Sequence, residues 1–392
     1  MSTLKVDAIR HNSATSDAIT TAADGTCTAK LTSVGGGGLS HRNKALNGEM
    51  KISQRGTTFS PTTSSIYLLD GWRTDHGSGG NLDTTITQST DTPSGFSKSL
   101  KITPDSTLTP SGSANGLITQ YIEGQDLQDL AFGTSDAKPI TVSWYAKTSA
   151  TGAGNYTVKV EYYDGSTYYA VNKLFAFTTT WTRYTYTIPA TGTATTNGIR
   201  DTNDWGLKVE YHLFSGPDDV HSQFTQWATN AIPTFKVISG QKNFMDNTNN
   251  ELYITGFQIE VGDTMTEYEH TRTSEELARC QRYCVVYGGS GARHLGCASA
   301  YNSTNLNLSL HVPVPMRAVP SPTTVLASGN WLQAYMGATG VQSNAGISVT
   351  DIDTNHSSMR AYLTNAHTSR NAGEALWVHT LPNAKLILSA EL

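Results

Sequence analysis

In Ile140-Thr141-Val142-Ser143-Trp144-Tyr145-Ala146-Lys147 the apolar positions Ile140, Val142, Trp144 and Ala146 alternate with the others. Successive side chains of a strand point to opposite faces, so this period of two predicts a strand with one buried and one wet face. Leu252 to Val261 alternates in the same way. Short β-rich runs of this kind, punctuated by Gly, Pro, Asn and Asp, recur from Asn43 to about Arg272. They are Ile66 to Leu69, Ser99 to Ile102, Leu117 to Ile122, Tyr156 to Tyr163, Ala170 to Phe177, Arg183 to Ile188 and Leu207 to Leu213, besides the two above. With almost no helical window among them, residues 43–272 read as a two-sheet β-sandwich.

The pattern changes at Thr273-Ser274-Glu275-Glu276-Leu277-Ala278-Arg279-Cys280-Gln281-Arg282-Tyr283. Thr273 or Ser274 as N-cap with a Glu three positions on predicts a helix over 273–283, linking two domains. Residues 284–392 return to β character: Leu306 to Val314 alternates, Pro313, Pro315, Pro320 and Pro322 break the chain, and Ala384 to Leu392 reads as a final strand. A second, smaller sandwich is expected there. Residues 1–34 offer one short apolar alternation, Leu4, Val6 and Ile9, which cannot bury a core alone. Gly35 to Gly38, within a linker over 35–42, lacks Cβ atoms and separates that segment from the rest. The expectation is an extended N-terminal arm that orders against a partner. No short-period repeat and no heptads occur, so a coiled-coil shaft is not expected.

Composition supports the all-β reading. Only 15% of the 392 residues are charged and 37% are hydrophobic, while Tyr (18) and Trp (7) together outnumber Phe (10). A net charge of -5 offers no basic stripe for a phosphate backbone, so no nucleic-acid partner is expected. No apolar stretch of about 18 residues exists, and Met1-Ser2-Thr3-Leu4-Lys5 lacks a signal-peptide core, so neither membrane insertion nor export by the usual route is expected. Cys27, Cys280, Cys284 and Cys297 are too few and too unevenly placed for a disulfide framework. Cys280 and Cys284 stand one helical turn apart, but no Cys/His pair completes a metal site, so buried free thiols are expected and no metal or other cofactor.

Leu46-Asn47-Gly48-Glu49-Met50-Lys51-Ile52-Ser53-Gln54-Arg55-Gly56-Thr57, followed by Leu69-Asp70-Gly71-Trp72-Arg73, resembles a sandwich module recurrent in bacteriophage tail-fibre and minor tail proteins. Tyr121 to Leu127, Lys138 to Trp144 and Tyr253 to Gly262 match the same module, which typically ends as Tyr268 to Arg272 and Glu275 to Tyr283 do here. The resemblance covers about residues 43–285. It implies a jelly-roll fold similar to carbohydrate-binding modules, a homotrimer, and a structural virion protein that adsorbs to host surface polysaccharide. Residues 1–34, with Leu4, Val6 and Ile9, would then dock on other tail or baseplate proteins, and residues 284–392 would form a distal tip. The protein would be assembled in the host cytoplasm and reside in the virion tail. Alternatives are a head fibre, capsid decoration or tail-collar protein without glycan binding, and a capsular polysaccharide depolymerase. The resemblance defines no catalytic residues.

Sugar binding needs flat aromatic faces beside hydroxyl-bonding groups. Tyr162-Tyr163-Asp164-Gly165-Ser166-Thr167-Tyr168-Tyr169 reads as a hairpin with an Asp-Gly turn, in which one Tyr of each pair must face outward. Tyr163, Tyr168, Tyr169, Trp205, Trp331 and Tyr335 are the candidate carbohydrate-binding residues, with Trp227 a further platform; cross-strand packing is the competing role. Trp72 and Trp144 read as core, and Arg55, Asp70 and Arg73 as a buried ion pair within the sandwich. Asp218-Asp219 with His221, and Asp351 and Asp353 with His356, are the acidic clusters a depolymerase would use, though both look like loops. No catalytic motif is recognised and no enzymatic activity is expected. Asp246-Asn247-Thr248-Asn249-Asn250-Glu251 has oxygen ligands enough for Ca²⁺ but not the spacing of an EF-hand, and reads as a turn.

Overall fold

The structure is a computed structural model, and it describes residues 6–10, 18–23, 27–29, 40–61, 65–77, 81–191, 198–229, 237–337, 339–350, 352–353, 356–368 and 370–392. Leu4, Gly35 to Gly38 and Asp351 lie outside the described residues.

Two six-stranded antiparallel sheets face each other between residues 58 and 261. One runs Ala228–Thr229, Tyr168–Phe177, Gly154–Tyr163, Trp205–Ser215, Asn115–Glu123, Arg73–His76. The other runs Thr182–Ile188, Ile140–Thr148, Leu252–Val261, Ser99–Pro104, Thr84–Ser89, Thr58–Phe59. The non-sequential strand order is that of a jelly-roll type sandwich. Alternation puts Val158, Val160, Val209, Tyr211, Val142 and Trp144 between the sheets, fully or almost fully buried. Trp72 closes this core against Phe257, ring centroids 5.1 Å apart. The run Ile66 to Leu69 is not a strand; Tyr67 alone makes a bridge, to Arg73, because Leu68 and Leu69 are both drawn inward around Trp72.

The Asn47-Gly48 turn locks this sandwich to the helix Thr273–Gln281. Asn47 is buried at positive φ (50°), and its side chain bonds Ile52 twice and the Asp70 carbonyl. A Cβ on Gly48 would stand 2.1 Å from the Phe257 carbonyl oxygen, so only glycine lets the backbones approach this closely. The Asn47 amide donates to Glu276 of the helix. That contact corrects the expected cap: the N-cap residue is Arg272, no side chain caps the helix, and Glu276 turns to Asn47 and to Arg279 (2.9 Å) instead. The helix packs Cys280 and Leu277 on Leu46 and Ile52.

The C-terminal residues form the smaller sandwich. A three-stranded sheet, Cys284–Gly288, Lys385–Ser389, Ser321–Val325, covers a seven-stranded one ordered Thr339–Ser343, Leu332–Met336, Ala375–Thr380, Arg293–Ala300, Leu306–His311, Ser358–Thr364, Gly346–Thr350. Leu306, Leu308, Leu376, Val378, Leu386 and Leu388 fill the space between them. The two sandwiches are joined by buried polar contacts. Glu123, fully buried, accepts from Arg282 (2.7 and 2.9 Å) and from the Tyr283 hydroxyl (2.6 Å). Arg55 pairs with Glu391 at 2.8 Å, and Gln54 donates to the Cys284 carbonyl. The expected pairing among Arg55, Asp70 and Arg73 is therefore replaced. Arg55 crosses to the C-terminal sandwich, Arg73 pairs with Asp75 at 2.8 Å, and Asp70 accepts from Gln54.

At the N-terminus the strands Ala8–Ile9, Ile19–Thr21 and Cys27–Ala29 pair as a small antiparallel sheet, so this segment folds back on itself where an extended arm was expected. Val6 and Ile9 are exposed. Among the described residues, no helix is long and apolar enough to cross a membrane.

Candidate functional site

The hairpin Gly154–Tyr163 and Tyr168–Phe177 turns at Asp164-Gly165. Asp164 Oδ1 accepts from the backbone N–H groups of Ser166 (2.8 Å) and Thr167 (2.7 Å), and Gly165 takes φ 99°. Register then sorts the four tyrosines: Tyr162 pairs with Tyr169 and Tyr163 with Tyr168. The first pair stacks inside at 4.7 Å, against Trp227, whose Nε1 donates to Pro189. The second pair stacks outside at 4.6 Å. Trp205, at the start of the neighbouring strand, lies nearly parallel to both, 5.6 Å from Tyr163 and 5.8 Å from Tyr168. A register shift between Trp205 and Leu207 turns the indole onto this outer face.

Tyr163 and Tyr168 of one hairpin and the sequence-distant Trp205 thus form one aromatic platform. Tyr121 meets Trp205 edge-on at 5.9 Å and extends the platform across the sheet, and the Arg73 guanidinium lies over the Tyr121 ring at 5.7 Å. Tyr168 is 40% exposed, while Tyr163 and Trp205 are half-buried, with the near-parallel rings stacked on one another. The Tyr163 hydroxyl donates to the Gly165 carbonyl (2.8 Å) and fixes its ring to the turn.

Beneath the platform the same face carries a buried ion network. Lys208 Nζ sits 5.3 Å from the Trp205 ring and bonds Glu161 (2.8 Å) and Glu210 (2.9 Å). Fully buried Lys159 bonds the same two carboxylates at 2.6 and 3.2 Å, and His212 reaches Glu210 at 3.1 Å. Burial disfavours the Lys208 ammonium, but Glu210 and Glu161 outweigh it and hold its pKa above the usual lysine value. Burial likewise opposes ionised Glu210, yet Lys159 and Lys208 keep its carboxyl well below the usual range. Both lysines and both glutamates are committed to one another, and the cluster acts as a rigid floor that fixes Lys208 against Trp205.

The other sequence candidates separate from this platform. Tyr169 is buried at 6% exposure against Tyr162, and its expected outward face is corrected: the register that exposes Tyr168 must bury its neighbour. Trp331 is corrected too. It is fully buried in the smaller sandwich, with Nε1 donating to the Ala345 carbonyl at 2.7 Å. Tyr335 is half-buried on the seven-stranded sheet, 5.4 Å from His379. Sequence reasoning missed Tyr121 and Lys208, and also Trp377, which is 60% exposed. In Ala375-Leu376-Trp377-Val378-His379 the alternation of Leu376 and Val378 already assigns Trp377 to the outer face.

The acidic clusters are structural in their contacts. Asp219 is buried and accepts from Asn115, and Asp353 accepts from the Ser357 amide (2.7 Å) and hydroxyl (2.6 Å) and from the Ser358 amide. Asp246 pairs with Lys242 and Asn250 in a turn that leads into Leu252–Val261. Among the described residues no group of three or more His, Cys, Asp or Glu could hold a metal. Cys280 and Cys284 are free and buried, and burial pushes both thiols up.

No family model matches the sequence, and no curated protein matches it. Among solved structures, the chain is similar to the enzymatically active domain of tailspike protein 4 of bacteriophage CBA120, at 12% identity and a TM-score of 0.30; 59% of this chain is covered, and 23% of that one. A protein of Bacteroides thetaiotaomicron described as a putative sugar binding protein is similar at 10% identity and a TM-score of 0.30, covering 56% of this chain and all of that one. A CBM22 xylan-binding domain of Paenibacillus barcinonensis is similar at 13% identity and a TM-score of 0.25, over 53% of this chain and 94% of that one.

Proposed function

We propose that this chain is a tail-fibre adhesion protein of a bacteriophage, a non-enzymatic virion component that binds host surface carbohydrate through the main sandwich. The observation that carries the reading is the platform of Tyr163, Tyr168 and Trp205: three near-parallel rings on one open sheet face, held from below. The partly exposed side of this stack, chiefly Tyr168, offers apolar surface to a pyranose, and a site whose side chains are already fixed loses little entropy on binding. The phage assignment is supported by the ordered segments that resemble tail-fibre modules, from Leu46 to Tyr283. Absence of catalysis is part of the proposal: Glu161 and Glu210, buried carboxylates on the platform's side of the sheet, are each held by two lysines. In this reading the protein acts as a homotrimer, so that weak sites add by linkage, and residues 1–34 dock on tail or baseplate proteins.

The test uses the purified full chain, verified as an oligomer, against host cells and their extracted surface polysaccharide. Saturable binding that blocks phage adsorption, and that Tyr168→Ala weakens, is the expected result. A native oligomer that neither binds nor blocks overturns the reading in favour of a head-fibre or collar role.

A further inference from the structure

The smaller sandwich turns one whole face of its seven-stranded sheet outward, and Trp377 projects from it. The indole is 60% exposed, while Leu376 and Val378 on either side of it are buried. Register sets Trp377 opposite Tyr335 on one neighbouring strand and Cys297 on the other. The Tyr335 ring lies over Gly340, where a Cβ would stand 2.5 Å from it. His294 meets the indole at 5.3 Å with the rings steeply inclined. Trp377 is thus positioned by its neighbours and still open over most of its surface.

Beside Trp377 the sheet surface sinks. The exposed side chains there are small, Cys297, Ser299 and Ser309, and with Asn307, Ser358 and Arg360 they line a shallow depression of about 510 Å³. Trp377 stands at one side of it. Arg360 closes the other, three strands away, or about 15 Å at the usual spacing of neighbouring strands. Arg360 is already engaged, opposite Ser309 and Thr350, with Nε donating to the Thr350 hydroxyl at 3.2 Å. The seven strands contain no Asp or Glu. Burial, with His294 beside it, pushes His379 toward its neutral form. The depression therefore offers hydroxyls, an amide, a thiol and one large ring, and its single cation is spoken for.

We infer that this face is a second binding surface, and that its ligand is an uncharged saccharide chain. The open indole suits the apolar side of a pyranose, while the serine hydroxyls and the Asn307 amide both donate to and accept from sugar hydroxyls. A span of three strands takes a short oligosaccharide and is too long for one sugar. A charged ligand would leave its own charge without a free partner here. A protein partner fits less well, because the centres of protein contacts are built on large apolar side chains, beneath which Ser299, Asn307 and Ser309 would lose water without return. The exposed apolar side chains Val325 and Leu326 gather instead at the strand Ser321–Val325 of the opposite sheet. The inference rests on the reading that the chain binds surface carbohydrate, and adds a separate site and a ligand class to it.

Affinity electrophoresis of the full chain tests it, in gels containing neutral dextran, mannan or galactan, with polygalacturonate as the acidic control. Using Trp205→Ala as the starting protein removes the contribution of the first platform. That protein should still be retarded in at least one neutral gel, equally at low and high salt, and not in polygalacturonate. Adding Trp377→Ala should weaken the retardation at least tenfold. Adding Ser309→Phe, which fills the depression and keeps the indole, should do the same, and Val325→Ser on the opposite sheet should change nothing. If wild type is retarded and Trp205→Ala is not, this inference falls and the first reading survives. Retardation of Trp205→Ala that Trp377→Ala leaves intact, or that high salt abolishes, also overturns it, as does no retardation of either protein in any neutral gel. So does a sedimentation shift showing that Trp377→Ala turns an oligomer into monomers, which would make the face a contact between copies.

Discussion

Replacing Trp205 by Ala removes the central ring of the platform. The indole touches Tyr163, Tyr168 and Tyr121 at 5.6, 5.8 and 5.9 Å and lies beside the Lys208 ammonium. Each ring pair contributes about 0.5–1.5 kcal/mol, so the folded state should lose about 1–3 kcal/mol after the partly exposed surroundings relax. For a sandwich of this size that lowers the melting temperature by about 2–4 °C per kcal/mol, leaving the protein folded at 25 °C. Binding should suffer separately. A stacking tryptophan at the centre of a site is worth about 2 kcal/mol, which is about thirtyfold in Kd. Trp205→Phe keeps a ring on the same backbone and should recover most of that factor. Isothermal titration with the bound polysaccharide, run at a temperature where circular dichroism shows both variants folded, measures it. Unchanged affinity in Trp205→Ala would refute the platform's role, because among the described residues no other ring bridges Tyr168 to Tyr121.

Buried contacts set the remaining expectations. Gly48→Ala drives a methyl into the Phe257 carbonyl, so the melting temperature should fall by more than 5 °C, by about 2–4 °C for each kcal/mol of strain, as calorimetry would read. Arg55→Ala strands Glu391 unpaired between the two sandwiches, at a cost of about 3–5 kcal/mol; limited proteolysis should then cut near the helix Thr273–Gln281, where wild type resists. Trp331→Ala leaves a cavity costing about 3–5 kcal/mol and should melt the smaller sandwich first, while Trp205-dependent binding persists when titrated below that transition. For pH, the folded pKa of Glu210 is depressed, so its contribution is fully present above the ordinary glutamate value of about 4.3 and is lost as pH falls below it. Wild-type melting temperature should drop below about pH 5, whereas Glu210→Gln should start lower at neutral pH and fall less steeply; parallel curves would contradict the ion-network account.

Most of the fold is legible because burial imposes a period of two. Leu252–Val261 and Ile140–Thr148 are strands where their alternation predicts them, but the face expected to be wet is covered too, Leu252–Val261 being buried at every position; Tyr163 and Tyr168 face outward together because the Asp164-Gly165 turn fixes their register. What the sequence hides is pairing across distance. Nothing in the chain near Trp205 says that a register shift brings it over Tyr163, or that Arg55 reaches Glu391. Trp331 illustrates the opposite case: named as a candidate sugar platform, its ring is drawn inside by a hydrogen bond to Ala345 and by the core of the smaller sandwich. The short edge strands Arg73–His76 and Thr58–Phe59 carry too few residues for any period to show.

The central claim is that this chain holds carbohydrate on the outer face of its main sandwich. A glycan array probed with the fluorescently labelled full chain, beside Trp205→Ala and Tyr168→Ala, tests it most directly. At least one related group of glycans should retain the wild-type protein, and both variants should lose that signal. An array on which the wild type binds nothing, or binds equally well without Trp205 and Tyr168, would contradict it.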